Sequence, residues 1–312
     1  MKLVKSKYIL LLLFIILSFK IFAQNFSIIG EKYLSPYPSP FLIEFVSSDK
    51  LHLIWDSGKN SGWDTKKEFS YSFISDYGMP YLLLDTQIPR EIEQGVYTNV
   101  PARDFGNKIM FIVGQVPAME RKFNSGRSFY PKVAVGYTVT EDHRKSHVFL
   151  RDILSFESTL RDYGDPSSTL VESGITYEIG NLDDLESDTP WVEAADGNGL
   201  GESFVIFNSM NEVYPYLFII NGFISADRPR LFLQNGRIKR IKVEGLDSGD
   251  FGFCDILDTP HPQTVDIAFI TRAEDIKITI IDVYLGSKYE DTAIHYMITY
   301  NKKIIPYQDS VE

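Results

Sequence analysis

The sequence holds a single cysteine, Cys254, so an internal disulfide is excluded and the fold must stand on packing and hydrogen bonding. Its setting, Phe251-Gly252-Phe253-Cys254-Asp255-Ile256-Leu257, is apolar, which reads as a small buried hydrophobe and not as a reactive thiol. Positive charge is also short. With 31 Lys and Arg against 42 Asp and Glu the net charge is −11, the wrong sign for a nucleic-acid footprint or an anionic membrane surface. Long apolar runs are missing beyond the N-terminal segment, so no membrane span is expected in the mature chain, since a span needs about 20 residues. Helix-period patterning of useful length is absent as well. There is no Gly-x-Ser-x-Gly, no phosphate-cradling loop and no zinc signature, and nothing fixes two of the many carboxylates at a glycosidase separation. The chain therefore reads as a non-enzyme.

What is present is an abundance of aromatic residues, 14% of the chain, with apolar residues spread throughout. Residues 1–23 have the form of a secretory signal peptide: Lys2, Lys5 and Lys7, then the apolar run Tyr8 to Phe19, then Ala23 before Gln24. No cysteine sits at the junction to carry a lipid. This address predicts export, to the periplasm or to the cell surface and beyond.

Residues 24–150 are expected to form a β-rich domain. Short β-type runs at Phe41 to Val46, Leu51 to Trp55, Phe69-Tyr71-Phe73, Tyr81 to Leu84, Ile109 to Val116 and Lys132 to Val139 are broken by Gly, Pro, Asn and Asp. They predict a small antiparallel barrel or sandwich. Trp63 and Tyr77 stand in loops, as stacking platforms or as lids on a core. His143 and His147 have i,i+4 spacing without helical context, and Arg144 and Lys145 between them favour a solvated linker over a metal site. Residues 151–164 are read as the linker.

Residues 165–305 read as a second all-β domain of about eight short strands without helices. Tyr216, Phe218 and Ile220 alternate with Leu217 and Ile219, so both faces are apolar, as in a central strand. Asn235-Gly236 signals a hairpin. The apolar phase shifts from Ile276, Ile278, Ile280 to Ile281, Val283, Leu285, which predicts a β-bulge at a sandwich edge.

Before these strands comes a turn-rich loop: Asn181-Leu182-Asp183-Asp184, Thr189-Pro190-Trp191-Val192-Glu193 and Asp196-Gly197-Asn198-Gly199-Leu200-Gly201-Glu202. Together with Ile220-Asn221-Gly222-Phe223, Gln234-Asn235-Gly236-Arg237-Ile238-Lys239 and Val283 to Ile294, it resembles the discoidin-like, galactose-binding-like family. More narrowly, it is similar to the glycan-binding jelly roll of the translocation domain of NAD-glycohydrolase toxins, a module also seen in exported spirochaete proteins. The resemblance implies a jelly-roll sandwich of this kind and a glycan or glycoconjugate as partner, without a required cofactor. It covers no NAD-cleaving domain. The chain departs from the family where Ser-Glu is usual and His295-Tyr296 stands instead, which leaves any ligand role of that Glu unfilled.

The resemblance also bears on candidate site residues. Asn181, Asp183, Asp184 and Asp188 read either as a structural Ca²⁺ site or as Asx turns closing on their own backbone. Trp191 is expected in the core. The rim residues Asp196 and Asn198, and Arg228 and Arg230 around Pro229 between two strands, are the candidate ligand contacts. The expected function is non-catalytic carbohydrate recognition by an exported protein. The alternative is a structural or protein-interaction component of the cell envelope that binds an envelope protein in place of sugar.

Overall fold

The structure, a computed structural model, describes residues 32–35, 41–55, 65–87, 105–115, 121–122, 128–129, 132–140, 163–183, 190–209, 211–225, 228–301, 303 and 305–306. The proposed signal peptide, Trp63, His143, His147 and the linker up to Asp162 lie outside these residues. Among the described residues no helix is long and apolar enough to cross a membrane.

The first unit is built from β1 (Lys32–Ser35), β2 (Phe41–Phe45), β3 (Lys50–Trp55), β4 (Thr65–Asp76), β5 (Met79–Leu84) and β6 (Phe105–Gln115). The short ribbon β7 (Arg121–Lys122) and β8 (Ser128–Phe129) follows, and then β9 (Lys132–Thr140). Strands β1 to β6 pair in chain order with antiparallel neighbours, and β9 pairs antiparallel with β6 and parallel with β1. The sheet thus closes into a barrel of seven strands, which removes its edges. Alternation drives this. In β3, Leu51, Leu53 and Trp55 point inward and are buried, and β4 continues with Phe69 and Tyr71. Phe45 packs edge-on against Tyr71 and Phe111, with centroids 5.1 and 5.7 Å apart. Tyr77, in the turn between β4 and β5, is 60% exposed and takes φ 50°.

The second unit begins with β10 (Tyr163–Gly164), β11 (Val171–Glu172), β12 (Ile175–Thr176), a 3-10 turn at Ile179–Asp183, β13 (Trp191–Val192), β14 (Ser203–Ile206) and β15 (Tyr216–Asn221). A short helix α1 (Arg230–Gln234) precedes β16 (Gly236–Gly245), β17 (Phe251–Asp255), β18 (Gln263–Asp266), β19 (Ile276–Tyr284) and β20 (Thr292–Tyr300). β14, β19, β16 and β17 form one layer, and β13, β20, β15 and β18 the other. They meet where β16 and β20 pair briefly in parallel at Gly236–Thr292 and Arg237–Ala293. Trp191, Phe204, Leu217, Ile219, Ile241, Ile278, Ile294 and Met297 fill the space between, an all-β jelly-roll sandwich. Trp191 is fully buried against Phe204, at 5.1 Å between centroids, as expected. Cys254 is buried and unpaired, and burial pushes its thiol up to about 11.

Three expectations need correction. Asn235-Gly236 is not a hairpin turn: Asn235 ends α1, its N–H and Nδ2 both donating to the Leu231 carbonyl. Gly236 is there because a Cβ would stand 2.6 Å from Thr292 Oγ1, so only glycine permits the β16–β20 approach. A helix was not expected, and Arg228 and Arg230 flank its start, not a strand-to-strand turn. Finally, the bulge falls between Ile280 and Asp282 as the phase shift predicts, but β19 is an interior strand between β14 and β16, and Ile281 turns outward.

The two units touch. A methyl group at Gly78 would lie 3.7 Å from Leu233 and Phe232 of α1, and a last strand, β21 (Ile305–Pro306), pairs antiparallel with Gly114 and Gln115 of β6.

Candidate functional site

Tyr177, Val192, Phe223, Leu231 and Ala293 form a small apolar cluster apart from the sandwich core, with Leu170 and Tyr289 packed against it. It floors a cleft of about 180 Å³ with three walls. The first is the hairpin of β11 and β12. Ser173 and Gly174 both take positive φ (52° and 80°), the pairing a tight two-residue turn requires, and the hairpin brings Val171 and Glu172 to the cleft. Its base is tied down by Leu170 N–H to Val192 O (2.8 Å) and Tyr177 N–H to Leu170 O (3.0 Å).

The second wall is the run into α1, which supplies Arg228, Leu231 and Asn235. The Arg228 guanidinium lies 5.8 Å from the Phe223 ring centre, and the Tyr177 and Phe223 rings meet edge-on at 5.8 Å. The third wall is the turn before β20, carrying Tyr289 and Asp291. It is locked to α1 through Ser287 N–H to Leu233 O (2.9 Å) and Tyr289 N–H to Gln234 O (2.8 Å). Burial holds the Asp291 carboxyl above the usual range against a bond from its own N–H, and Glu172 and Glu290 raise it further. Among the described residues neither Glu172 nor Asp291 has a cationic partner.

Behind that wall lies a buried carboxylate that the sequence reading did not single out. Glu193 accepts bonds from Thr292 N–H (2.7 Å) and Ala195 N–H (2.8 Å), so it pins the Asp196–Gly199 loop to β20. Gly199 takes φ 73°, and a Cβ there would stand 2.6 Å from Glu193 Oε1. Burial raises the Glu193 carboxyl despite these bonds, with Asp291 and Glu202 adding repulsion.

The proposed site residues do not all converge. Arg228 borders the cleft; Arg230, the first residue of the helix, is exposed and does not. Asp196 is exposed and Asn198 half-buried on the neighbouring loop, whose Asn198 carbonyl accepts the Thr292 hydroxyl at 3.0 Å. Asn181 and Asp183 lie on the 3-10 turn, and the Asn181 amide donates to Pro190 O at 3.4 Å; Asp184 and Asp188 lie outside the described residues. Among the described residues no three His, Cys, Asp or Glu side chains gather as a metal site. His295, standing where the family's Glu is usual, is wholly buried, and burial pushes it down to about 3. The aromatic lining and the Glu172–Asp291 pair were missed. Tyr177, Phe223 and Tyr289 sit far apart in sequence, and only the fold assembles them.

The second unit is a jelly-roll sandwich, and the sequence comparison finds a domain family over nearly the same residues. Residues 155–300 match the family model described as the NAD glycohydrolase translocation F5/8 type C domain. No curated protein matches the chain. Among solved structures, the chain is similar to the family 32 carbohydrate-binding module of Clostridium perfringens NanJ in complex with galactose. Identity is 17% and the TM-score 0.33, with 46% of this chain and 93% of that one covered. A second C. perfringens module, in complex with glcNAc-alpha-1,4-galactose, shares 13% identity at a TM-score of 0.29, covering 46% and 90%. The arabinofuranosyltransferase AftD from Mycobacteria shares 14% identity at a TM-score of 0.34, over 62% of this chain and 14% of that enzyme.

Proposed function

We propose that this is an exported, non-catalytic carbohydrate-binding protein that holds a saccharide in the cleft between the β11–β12 hairpin, α1 and the turn before β20. The observation that carries this reading is the composition of the cleft. Tyr177, Phe223 and Tyr289 offer aromatic surface to the C–H face of a sugar ring, while Arg228 donates and Glu172 and Asp291 accept hydrogen bonds from hydroxyls. Its volume of about 180 Å³ lies below the roughly 300–1,000 Å³ usual for drug-sized ligands, which suits one small unit at the end of a glycan. On this reading Arg228 contacts the bound unit, and Arg230, Asp196 and Asn198 on the surrounding rim meet a longer chain. A Ca²⁺ held by Asn181, Asp183, Asp184 and Asp188 would brace the loop that ends at Trp191. Export to the periplasm or cell surface follows from the form of residues 1–23.

A glycan array probed with the folded chain, with Ca²⁺ and with chelator, tests this. Selective binding that Arg228→Ala and Tyr289→Ala lose supports the site, and a chelator effect supports the metal. A blank array from folded protein overturns carbohydrate recognition. In that case the envelope-component reading takes its place, tested by capture of a stable envelope partner.

A further inference from the structure

We propose that the free edge of β17 pairs antiparallel with the same strand of a second copy of this chain, across a two-fold axis at Phe253. Among the described residues β17 has one strand neighbour, β16. The register fixes which backbone groups that pairing uses. Gly245 N–H donates to Asp250 O at 2.8 Å and Ile256 N–H to Lys239 O at 2.9 Å, so the bonded pairs between them are Val243 with Gly252 and Ile241 with Cys254. The N–H and C=O groups of Phe251, Phe253 and Asp255 therefore point away from β16, and among the described residues they meet no partner. Sheet edges are normally kept short or guarded by Lys, Pro or a bulge. The other edge strands of the jelly roll follow that rule, β10 and β13 with two residues each and β18 with four. β17 has five residues with neither Lys nor Pro, and it places Phe251 and Phe253 in solvent, 56% and 50% exposed.

The strand complements itself. An axis at Phe253, its middle residue, sets Phe253 opposite its own counterpart and Phe251 opposite Asp255 of the second copy. All three outward-facing residues then enter the ladder, whereas the next register in either direction leaves one residue of each strand outside it. Charges fit the same register. On its own sheet Lys242 Nζ lies 4.8 Å from the Phe251 ring centre and 2.8 Å from Glu244, while Arg240 Nε stands 3.5 Å from Asp255. Pairing brings Asp255 of each copy across from Phe251 and the Lys242 above it, so opposite charges meet along the seam, and an aromatic pair forms at the axis. No residue lining the cleft lies on β17, so the pairing leaves both clefts open.

Sedimentation of the full chain across a concentration series up to about 1 mM tests this. Five residues a side make a small interface, so a dimer dissociating on the order of 10–100 µM is expected. Phe253→Lys sets two like charges opposite each other at the axis and should weaken the dimer about tenfold or more. Leu285→Lys, at a residue 70% exposed and off this strand, should leave the dimer unchanged. Amide exchange of the unaltered chain, resolved by residue, reports the register. In dilute protein Phe251, Phe253 and Asp255 should exchange freely while Gly252 and Cys254 are protected; in the dimer all five should be protected. A monomer at every concentration overturns self-pairing and leaves the edge to a strand of another protein. A dimer that survives Phe253→Lys, or that leaves the Phe253 amide unprotected, puts the interface elsewhere and overturns it too.

Discussion

Arg237 grips Asp258 with two parallel bonds, Nε to Oδ1 at 2.6 Å and Nη2 to Oδ2 at 3.0 Å, while its Nη1 reaches back to the carbonyls of Phe232 and Asn235. One buried guanidinium thus joins the Asp258 loop to the C-terminal end of α1, and α1 is a wall of the cleft. Removing the carboxylate strands a charge that is almost wholly buried.

Asp258→Ala is accordingly expected to cost about 2 kcal/mol, below the roughly 3–5 kcal/mol typical of broken buried pairs because Asp258 is itself partly solvated. Urea denaturation measures this. Glycan affinity should fall with it, because α1 loses its tether. Unchanged stability would show that water replaces the carboxylate without cost.

Stability should also drop in mild acid. Burial depresses His261 to about 4 and His295 to about 3, so the folded protein keeps both neutral. The unfolded chain takes up protons below about 6.5, so their contribution is intact above that pH and lost progressively as pH falls toward 4 and 3. At pH 5 the loss is about 2 kcal/mol for each histidine. Denaturant midpoints at pH 7.5 and 5.0 would display it, and His295→Phe should flatten the acid limb. Identical midpoints at the two pH values would contradict the burial of both rings.

Glu193→Ala removes the acceptor of the buried Thr292 N–H and the partly buried Ala195 N–H, and is expected to destabilise by about 3 kcal/mol. The raised carboxyl works in the opposite pH sense to the histidines. The native state holds this proton longer than the unfolded chain does, so ionisation subtracts stability as pH climbs from the ordinary carboxyl value through the raised one. Comparing wild type with Glu193→Ala across pH 4 to 7 isolates that slope, and parallel curves would argue against a raised carboxyl.

Tyr289→Ala should leave the melting temperature within a few degrees, since Tyr289 is half-exposed at the cleft, yet weaken saccharide binding about tenfold. Leu233→Asp, on the face of α1 toward the barrel turn, tests whether that contact also supports the cleft. A glycan affinity that ignores Tyr289→Ala would move the binding site elsewhere on the rim.

The legibility of the sequence follows from the range of the forces involved. Strand alternation is local, so β2 to β6, β9, β15, β19 and β20 stand where their apolar periodicity puts them. The Ile280–Asp282 bulge was visible as a phase slip for the same reason. Helix α1 was not, because five residues, Arg230–Gln234, show too little periodicity and are held by long-range bonds to Ser287 and Tyr289. Around Cys254 the thiol's burial was legible, but the apolar setting hid the direction of its neighbours. Phe251 and Phe253 alternate with Gly252 and Cys254 and face solvent, 56% and 50% exposed. The cleft was least legible of all. Arg228 could be singled out as a donor near a turn, whereas Glu172 and Asp291 lie far apart in sequence and come to one cleft only through the topology.

The pairing of β21 with β6 has a mechanical consequence. β1, near the start of the described chain, and β21, at its end, belong to one sheet, so the jelly roll hangs between them as a closed loop. Tension applied to the two ends would load the barrel sheet first. Until β21 is sheared from Gly114 and Gln115, the cleft stands outside the path of the force.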